Sequence, residues 1–425
     1  MKLSLYTYLF EKKGSFYIYN SETEFLFSVS ENIYEKLYDG SFEELDQEIF
    51  NELKKKRIVV EDSKLYETYY SSKLSYLSNI AGIKDLELII APTTACNFAC
   101  PYCFEGQKEN HRISNETIKN LVSFINSYEI VKHLNITWYG GEPLLAFKEI
   151  KTIIDRINKN CHAKIASQSI VTNGYLLTGE VMNFMFENKF DHMQVTLDGK
   201  EERHNKTRYL KANHKPTFSH ILKNIHCFIE KMPTNFKIDI RVNINKNNIH
   251  DFSYLYHHFK QCYNNNNIRI YPGFIREEGK KSAQMCYKSL FGPSRYEFYK
   301  TIETEGVPVD YFPHKESHKG CMACRNNSFI VGPAGELYKC WNDFNNPDKI
   351  VGFIHEEKLR KPSLICQYLH DTSIFNDLRC KECMLFPVCD GGCQWFRHQN
   401  LFYGKHYNLC PYFSNRKILE ECLLK

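Results

Sequence analysis

The chain has no stretch approaching the roughly 18 consecutive apolar residues of a membrane-spanning helix, so no membrane partner is expected. It has no large excess of charge of one sign: Lys and Arg number 55, Asp and Glu 50, and the net charge of +5 is spread along the sequence. That leaves no electrostatic case for nucleic acid or an acidic membrane surface as partner. The one basic run, Lys54-Lys55-Lys56-Arg57, closes a helix-like stretch and reads as a solvated helix end. A secretory signal is also missing. The apolar residues of Met1–Phe10 are interrupted by Glu11, Lys12 and Lys13, with no small-residue cleavage site, so a cytoplasmic location is expected. Residues 1–80 lack cysteine, although the chain holds 17. Composition is otherwise that of a globular protein, 43% hydrophobic and 25% charged, and 425 residues imply two or three domains.

In a reducing compartment 17 cysteines argue for metal or redox chemistry rather than a disulfide framework. Three lie together at Cys96, Cys100 and Cys103. Eight more fall in closely spaced sets from Cys321 to Cys410. Cys161, Cys227, Cys262, Cys286, Cys366 and Cys422 are isolated and read as ordinary small thiols.

Short alternating runs at Leu3–Tyr8 and Phe16–Tyr19 predict small strands. Helices are expected over Glu31–Leu37 and Phe42–Leu53, a returning strand at Ile58–Val60, and a connector over Tyr69–Ile80. Residues 1–80 thus read as a small winged-helix-like α+β module. From Asp85 the pattern becomes strand–helix alternation. Strands are expected at Leu86–Ile90, Leu134–Tyr139, Ser167–Thr172, Met193–Leu197, Phe236–Ile244 and Ile268–Tyr271. Helical patterns such as Thr178–Asn188 and Phe218–Met232 separate them, and Ser114 is a predicted N-cap. Six strands alternating with helices imply parallel βαβ units, which right-handed crossovers curl into an α/β fold, a partial (β/α)6 barrel over residues 85–305. Residues 306–425 lose the alternation and are rich in cysteine, glycine and aromatics. Such a segment has too little periodic apolar surface to fold unaided, and bound metal is the natural staple.

The first cysteine set, Cys96-Asn97-Phe98-Ala99-Cys100-Pro101-Tyr102-Cys103, follows the first barrel strand. Three thiolates leave one iron of a [4Fe–4S] cluster open to a ligand, because full ligation takes four. A zinc site with His111 as fourth ligand is the alternative. Gly140-Gly141-Glu142-Pro143 follows the second strand, where glycines let the backbone approach a ligand and offer free N–H and C=O groups; alone it would be a turn. Thr172-Asn173-Gly174 ends the third strand and Thr196-Leu197-Asp198-Gly199 the fourth.

The Cys-x3-Cys-x2-Cys loop, with aromatic Tyr102 before its last cysteine and these motifs in this order, resembles the radical S-adenosylmethionine superfamily. The resemblance implies that Cys96, Cys100 and Cys103 hold a [4Fe–4S] cluster. Its open iron chelates the amine and carboxylate of S-adenosyl-L-methionine. Reduction by a donor such as flavodoxin or ferredoxin breaks a C–S bond, and the 5′-deoxyadenosyl radical abstracts a substrate hydrogen. By the same resemblance Tyr102, Gly140, Gly141, Glu142, Pro143, Asn173, Thr196 and Arg208 line the cofactor site, with Thr196 and Arg208 at the methionine carboxylate. A surface salt bridge is the other reading of Arg208.

The second set is Cys321-x2-Cys324, Gly335-x4-Cys340, Cys380-x2-Cys383-x5-Cys389-x3-Cys393 and Cys410. It resembles the SPASM extension of peptide-modifying radical enzymes. That resemblance implies two auxiliary [4Fe–4S] clusters, three clusters in all, with Cys321, Cys324, Cys340 and Cys393 on one and Cys380, Cys383, Cys389 and Cys410 on the other. Position 324 is where many relatives lack a cysteine. Two zinc ribbons are the alternative, since paired cysteines also suit zinc. The N-terminal module resembles precursor-recognition domains, which add a leader peptide as a strand to a sheet edge; a structural cap is the alternative.

The function expected is a maturase of a ribosomally made precursor peptide, forming a thioether or carbon–carbon crosslink. The first alternative is an anaerobic sulfatase-maturing, formylglycine-generating enzyme. Those relatives carry an aspartate directly after the cysteine of G-x4-C, where this chain has Trp341; the nearest acid, Asp343, is the candidate general base. The second alternative is a cluster-bearing, non-catalytic peptide scaffold.

Overall fold

The alternation that opens the sequence forms an antiparallel sheet in the computed structural model, which describes residues 1–82, 84–103, 105, 110–245, 247–263, 265–275 and 292–425. Cys286 and residues 276–291 of the expected barrel segment lie outside the described residues. The run Leu3–Tyr8 is split. β1 (Lys2–Leu3) ends before β2 (Thr7–Lys12), which pairs with β3 (Ser15–Asn20) through a turn whose residues Lys13 and Gly14 both have positive φ, the geometry that suits the twist of a tight hairpin. β4 (Phe25–Val29), not anticipated, pairs with β3, and β5 (Val59–Val60) returns to pair with β1. Between them lie helices Glu31–Asp39 and Gln47–Lys55. Asp46 caps the second by accepting from the N–H groups of Glu48 and Ile49, and the basic run closes it as expected.

The expected connector Tyr69–Ile80 is instead part of a helix, Glu67–Ile80. Its spacing brings Tyr69 and Tyr76 to one face, where their rings meet Phe375 at 5.5 and 5.1 Å.

The six expected barrel strands are present as β6 (Asp85–Ile90), β7 (His133–Trp138), β8 (Lys164–Thr172), β9 (Phe190–Leu197), β10 (Lys237–Ile244) and β11 (Ile268–Phe274). All are parallel and adjacent in chain order. Helices such as Asn115–Asn126, capped by Ser114, and Gly179–Glu187, capped by Thr178, cover them. The array is open, and the cysteine-rich segment extends it. β12 (Ser328–Val331) adds parallel to β6, followed by antiparallel β13 (Glu336–Tyr338) and β14 (Gly352–Phe353). Among the described residues this makes one nine-stranded sheet. The residues after 305 therefore bury apolar surface against the array, Phe329, Val331 and Leu337 joining its core, rather than folding on metal alone. No described helix is long and apolar enough to cross a membrane.

Candidate functional site

The loops that leave the C-terminal ends of β6 to β10 converge, and the motifs read from the sequence lie on them. Cys96, Cys100 and Cys103 follow β6, all partly exposed and outside any disulfide. Several ties hold their loop. Cys96 Sγ accepts from Phe98 N–H (3.4 Å), Asn97 O from Lys211 N–H (2.7 Å), and Asn97 Oδ1 from Asn173 Nδ2 (2.7 Å). Burial pushes the Cys100 thiol up to about 12; Arg208 opposes this, while Asp198, Cys103 and Cys96 add to it. The Cys100 sulfur thus lies within electrostatic reach of the other two sulfurs and of the Arg208 guanidinium. His111 is exposed and touches the loop through its backbone carbonyl, which accepts from Thr94 N–H (3.1 Å) and Thr93 Oγ1 (2.7 Å). Among the described residues no three His, Cys, Asp or Glu side chains stand at the spacing of a single metal ion.

Gly140 and Gly141 meet protein rather than open space. A Cβ on Gly141 would lie 2.2 Å from Ala95 O and 2.3 Å from Thr94 O; one on Gly140 would lie 2.3 Å from Thr93 O. The N–H groups of Gly141 and Glu142 donate to Thr93 O (3.2 Å) and Ala95 O (2.8 Å). The Gly141 N–H, expected to be free for a ligand, is spent on the cysteine loop together with that of Glu142; the glycines bring that loop close. The Glu142 carboxylate is fully buried and accepts from Leu144 N–H (3.1 Å), Thr172 Oγ1 (2.7 Å) and Asn173 N–H (2.7 Å). It clasps the loop after β7 to the loop after β8, with Pro143 buried behind it.

Tyr102 and Arg208 are brought together, Thr196 lies buried near the end of β9, and Arg208 is buried, which excludes the surface salt bridge. Arg208 Nη1 donates to Tyr102 Oη (3.2 Å), as does Asn243 Nδ2 (3.2 Å). The Tyr102 hydroxyl donates to Asp198, whose Oδ2 also accepts from Thr207 Oγ1 (2.8 Å). Burial pushes the Tyr102 and Asp198 acids up, and for Asp198 Arg208 and the three hydrogen-bonding neighbours oppose it. Burial alone would lower Arg208; Tyr102, Cys100 and Asp198 outweigh it and keep the guanidinium charged. His204 takes the Asp198 N–H on Nδ1 (3.3 Å), and burial then Arg208 hold its pKa well below the usual value, so it is a neutral strut. Asp198 Oδ1 and Arg208 Nε are buried without hydrogen-bond partners. An orphan acceptor and an orphan donor beside three thiols fit a zwitterionic ligand such as the methionine end of S-adenosylmethionine. Asn97 and Asn243 were missed in the sequence. The available signal for Asn243 is a polar residue at the C-terminal end of an alternating polar–apolar strand, the end where barrel sites form.

The downstream cysteines form two groups. Cys324 and Cys321 share a hydrogen bond that lowers Cys321 and, with burial, raises Cys324. Cys340 is raised by burial, then by the charges of Asp343, Cys393 and Cys321. Separately, Cys389 is pushed up to about 12 by burial, with Cys383 and Cys380 among its neighbours, and Cys383 feels Cys410. Asp343 is buried, with Oδ2 accepting from Tyr368 Oη (2.7 Å) and Oδ1 from Trp395 Nε1 (3.2 Å). Both oxygens are engaged in packing, which argues against its expected role as a free general base.

Residues 90–259 match the Radical SAM superfamily. The chain carries a radical SAM domain. Over 371 residues this radical SAM chain is 25% identical to the cysteine-type anaerobic sulfatase-maturating enzyme of Clostridium novyi (strain NT), an alignment covering 78% of it and 94% of that relative. In fold it is similar to native anSMEcpe with bound AdoMet, at TM-score 0.60 and 22% identity over 80% of this chain and 97% of that one. It is also similar to Streptococcus suis SuiB bound to the precursor peptide SuiA, at TM-score 0.52 and 14% identity over 97% of this chain and 98% of that one. A radical SAM domain implies one [4Fe–4S] cluster and S-adenosylmethionine, and the three-cysteine loop with its orphaned donor and acceptor fits them.

Proposed function

We propose that this radical SAM enzyme matures a ribosomally made precursor peptide in the cytoplasm. Its leader binds the module of residues 1–80 and its core enters the mouth of the strand array. The cluster and S-adenosylmethionine, when bound, supply the radical that takes a hydrogen from the substrate. The chain's own residues do the rest. Cys96, Cys100 and Cys103 leave one iron open, and Arg208 and Thr196 receive the methionine carboxylate. Tyr102 fixes Arg208 against Asp198, while the glycine loop holds the cysteine loop to β7. The two downstream groups, Cys321, Cys324, Cys340 and Cys393, and Cys380, Cys383, Cys389 and Cys410, hold auxiliary clusters. A flavodoxin or ferredoxin supplies the electron, and a thioether or carbon–carbon crosslink is the product class.

The observation that carries the peptide reading is an apolar groove in the N-terminal module. It has a volume of about 530 Å³ and lies between β4 and helix Gln47–Lys55, lined by Phe25, Phe27, Val29, Ile33, Ile49 and Leu53. Among the described residues β4 pairs on one side only, so its other backbone edge can take a further strand. The test uses anaerobically reconstituted protein, dithionite, S-adenosylmethionine and the short peptides encoded beside the gene. 5′-Deoxyadenosine and a crosslinked peptide are expected. Ile49 keeps 36% of its surface exposed at the groove, so Ile49→Asp should leave folding intact and weaken peptide binding about tenfold, the loss of one apolar contact of ~1.4 kcal/mol. Formylglycine on a sulfatase-derived cysteine peptide, with no action on the neighbouring peptides, favours the second reading. The 25% identity to a sulfatase-maturating enzyme across 78% of the chain supports that reading, and Trp341 after Cys340 weighs against it.

A further inference from the structure

Lys339 is a lysine in the interior. Its side chain has no exposed surface, and it stands between the end of β13 and Cys340. Its Nζ donates to Arg325 O (2.5 Å) and Ser328 O (2.6 Å) and lies 4.6 Å from the centre of the Phe329 ring. Two carbonyls and an aromatic face solvate an ammonium but do not neutralise it. Among the described residues Lys339 makes no ion pair. The carboxylate that it feels, Glu87, already accepts from Arg325 Nη1 (3.1 Å) and Ser328 Oγ (3.2 Å). The bond to Arg325 O sets the ammonium beside the residue that follows Cys324, and Cys340 follows Lys339 itself; burial lowers the Lys339 pKa, and the sulfurs of Cys324 and then Cys321 oppose that. A buried cation without a counter-charge is strongly disfavoured. Thiolates that hold an iron–sulfur core supply that counter-charge, because such a centre is net negative and gains one further negative charge on reduction.

We infer that Lys339 is the built-in counter-ion of the auxiliary cluster held by Cys321, Cys324, Cys340 and Cys393, and that its charge raises the reduction potential of that cluster. The inference rests on the auxiliary-cluster reading of those cysteines. The physical basis is direct: a fixed positive charge in a low-dielectric site stabilises the more negative, reduced cluster over the oxidised one. Lys339 is then a positioning residue for charge, distinct from the ligands.

The test is an EPR-monitored redox titration of the anaerobically reconstituted full chain, with iron and sulfide analysis of each variant. Cys340→Ala identifies the signal of this cluster by its loss. Lys339→Met is expected to lower the midpoint of that signal by at least about 59 mV, a tenfold change in a one-electron equilibrium, and to leave the midpoint of the Cys96 cluster unmoved. Lys339→Arg, which keeps the charge, is expected to stay near the native midpoint. Should Lys339→Met lose iron from the site, Lys339→Gln, which keeps a donor for the two carbonyls without the charge, reads the same shift. An unchanged midpoint in the uncharged variants at native iron content overturns the inference and leaves the cluster assignment standing. Unsubstituted protein with iron for the Cys96 cluster alone, or with zinc at the downstream cysteines, overturns the assignment and the inference with it.

Discussion

At Gly141 one hydrogen atom separates a formed site from a broken one. The loop that carries three thiols must lie against the loop after β7, and it does so through backbone carbonyls, which cannot rotate aside as a flexible side chain can. A methyl group 2.2 Å from Ala95 O has to push the cysteine loop away. Gly141→Ala is expected to cost about 1–3 kcal/mol by chemical denaturation and to lower the iron bound by the Cys96 set. Gly179 is the control, with nothing within 4 Å of its added Cβ; Gly179→Ala at the helix start should be neutral or slightly stabilising, by up to about 1 kcal/mol, with native iron content.

Among elements, the far strands of the array are tied by a charge ladder. Asp239 on β10 accepts from Arg269 on β11 (Nε to Oδ1 2.8 Å, Nη2 to Oδ2 2.5 Å) and pairs with His192 Nε2 on β9 (3.1 Å). Burial alone would raise the Asp239 carboxyl, but hydrogen bonds from His192 and Arg269 outweigh it and hold the group down to about 2. A carboxyl whose pKa is lower folded than unfolded stabilises the fold above its unfolded value of about 3.9. That contribution is lost as pH falls from about 4 towards 2, when the folded group takes up its proton. The urea midpoint should therefore drop more steeply over this window in the native protein than in Asp239→Asn. The difference is expected to be about 1 kcal/mol, since the Arg269 side chain is mostly exposed and solvent screens it.

For the whole molecule, the two ends of the chain close on each other. Tyr8 Oη donates to Glu420 (3.1 Å), Lys12 pairs with the same carboxylate (2.9 Å), and Phe10 and Tyr19 pack with Leu385, Val388 and Leu419. The face of the N-terminal sheet that carries Phe10 is thereby covered by the cysteine-rich segment, while β4 and its groove face outward. Leu419 is fully buried in this contact. Leu419→Ala is expected to cost about 2–5 kcal/mol and to show first as faster hydrogen exchange over residues 7–20, with β6–β10 protected as before. Equal loss of protection in β6–β10 would mean that the module and the array unfold as one unit.

Sequence by itself determined what short range can encode. Cysteine spacing, glycines at strand ends, the alternation of β6–β11 and the cap at Ser114 act between residues a few positions apart, so each is legible as it stands. Tertiary structure decided what depends on partners far along the chain. Tyr102 meets Asp198 and Asn243 across 96 and 141 residues, and neither position is marked for that role by its neighbours. The helix Glu67–Ile80 escaped detection because its aromatics are scattered and only Tyr69 and Tyr76 are buried, by rings from beyond residue 370. β12 and β13 were hidden in a segment whose apolar residues gain a face only when β6 is beside them. Lys339 reads as one more lysine until the fold encloses it, because burial is a property of the packed molecule and not of the residue.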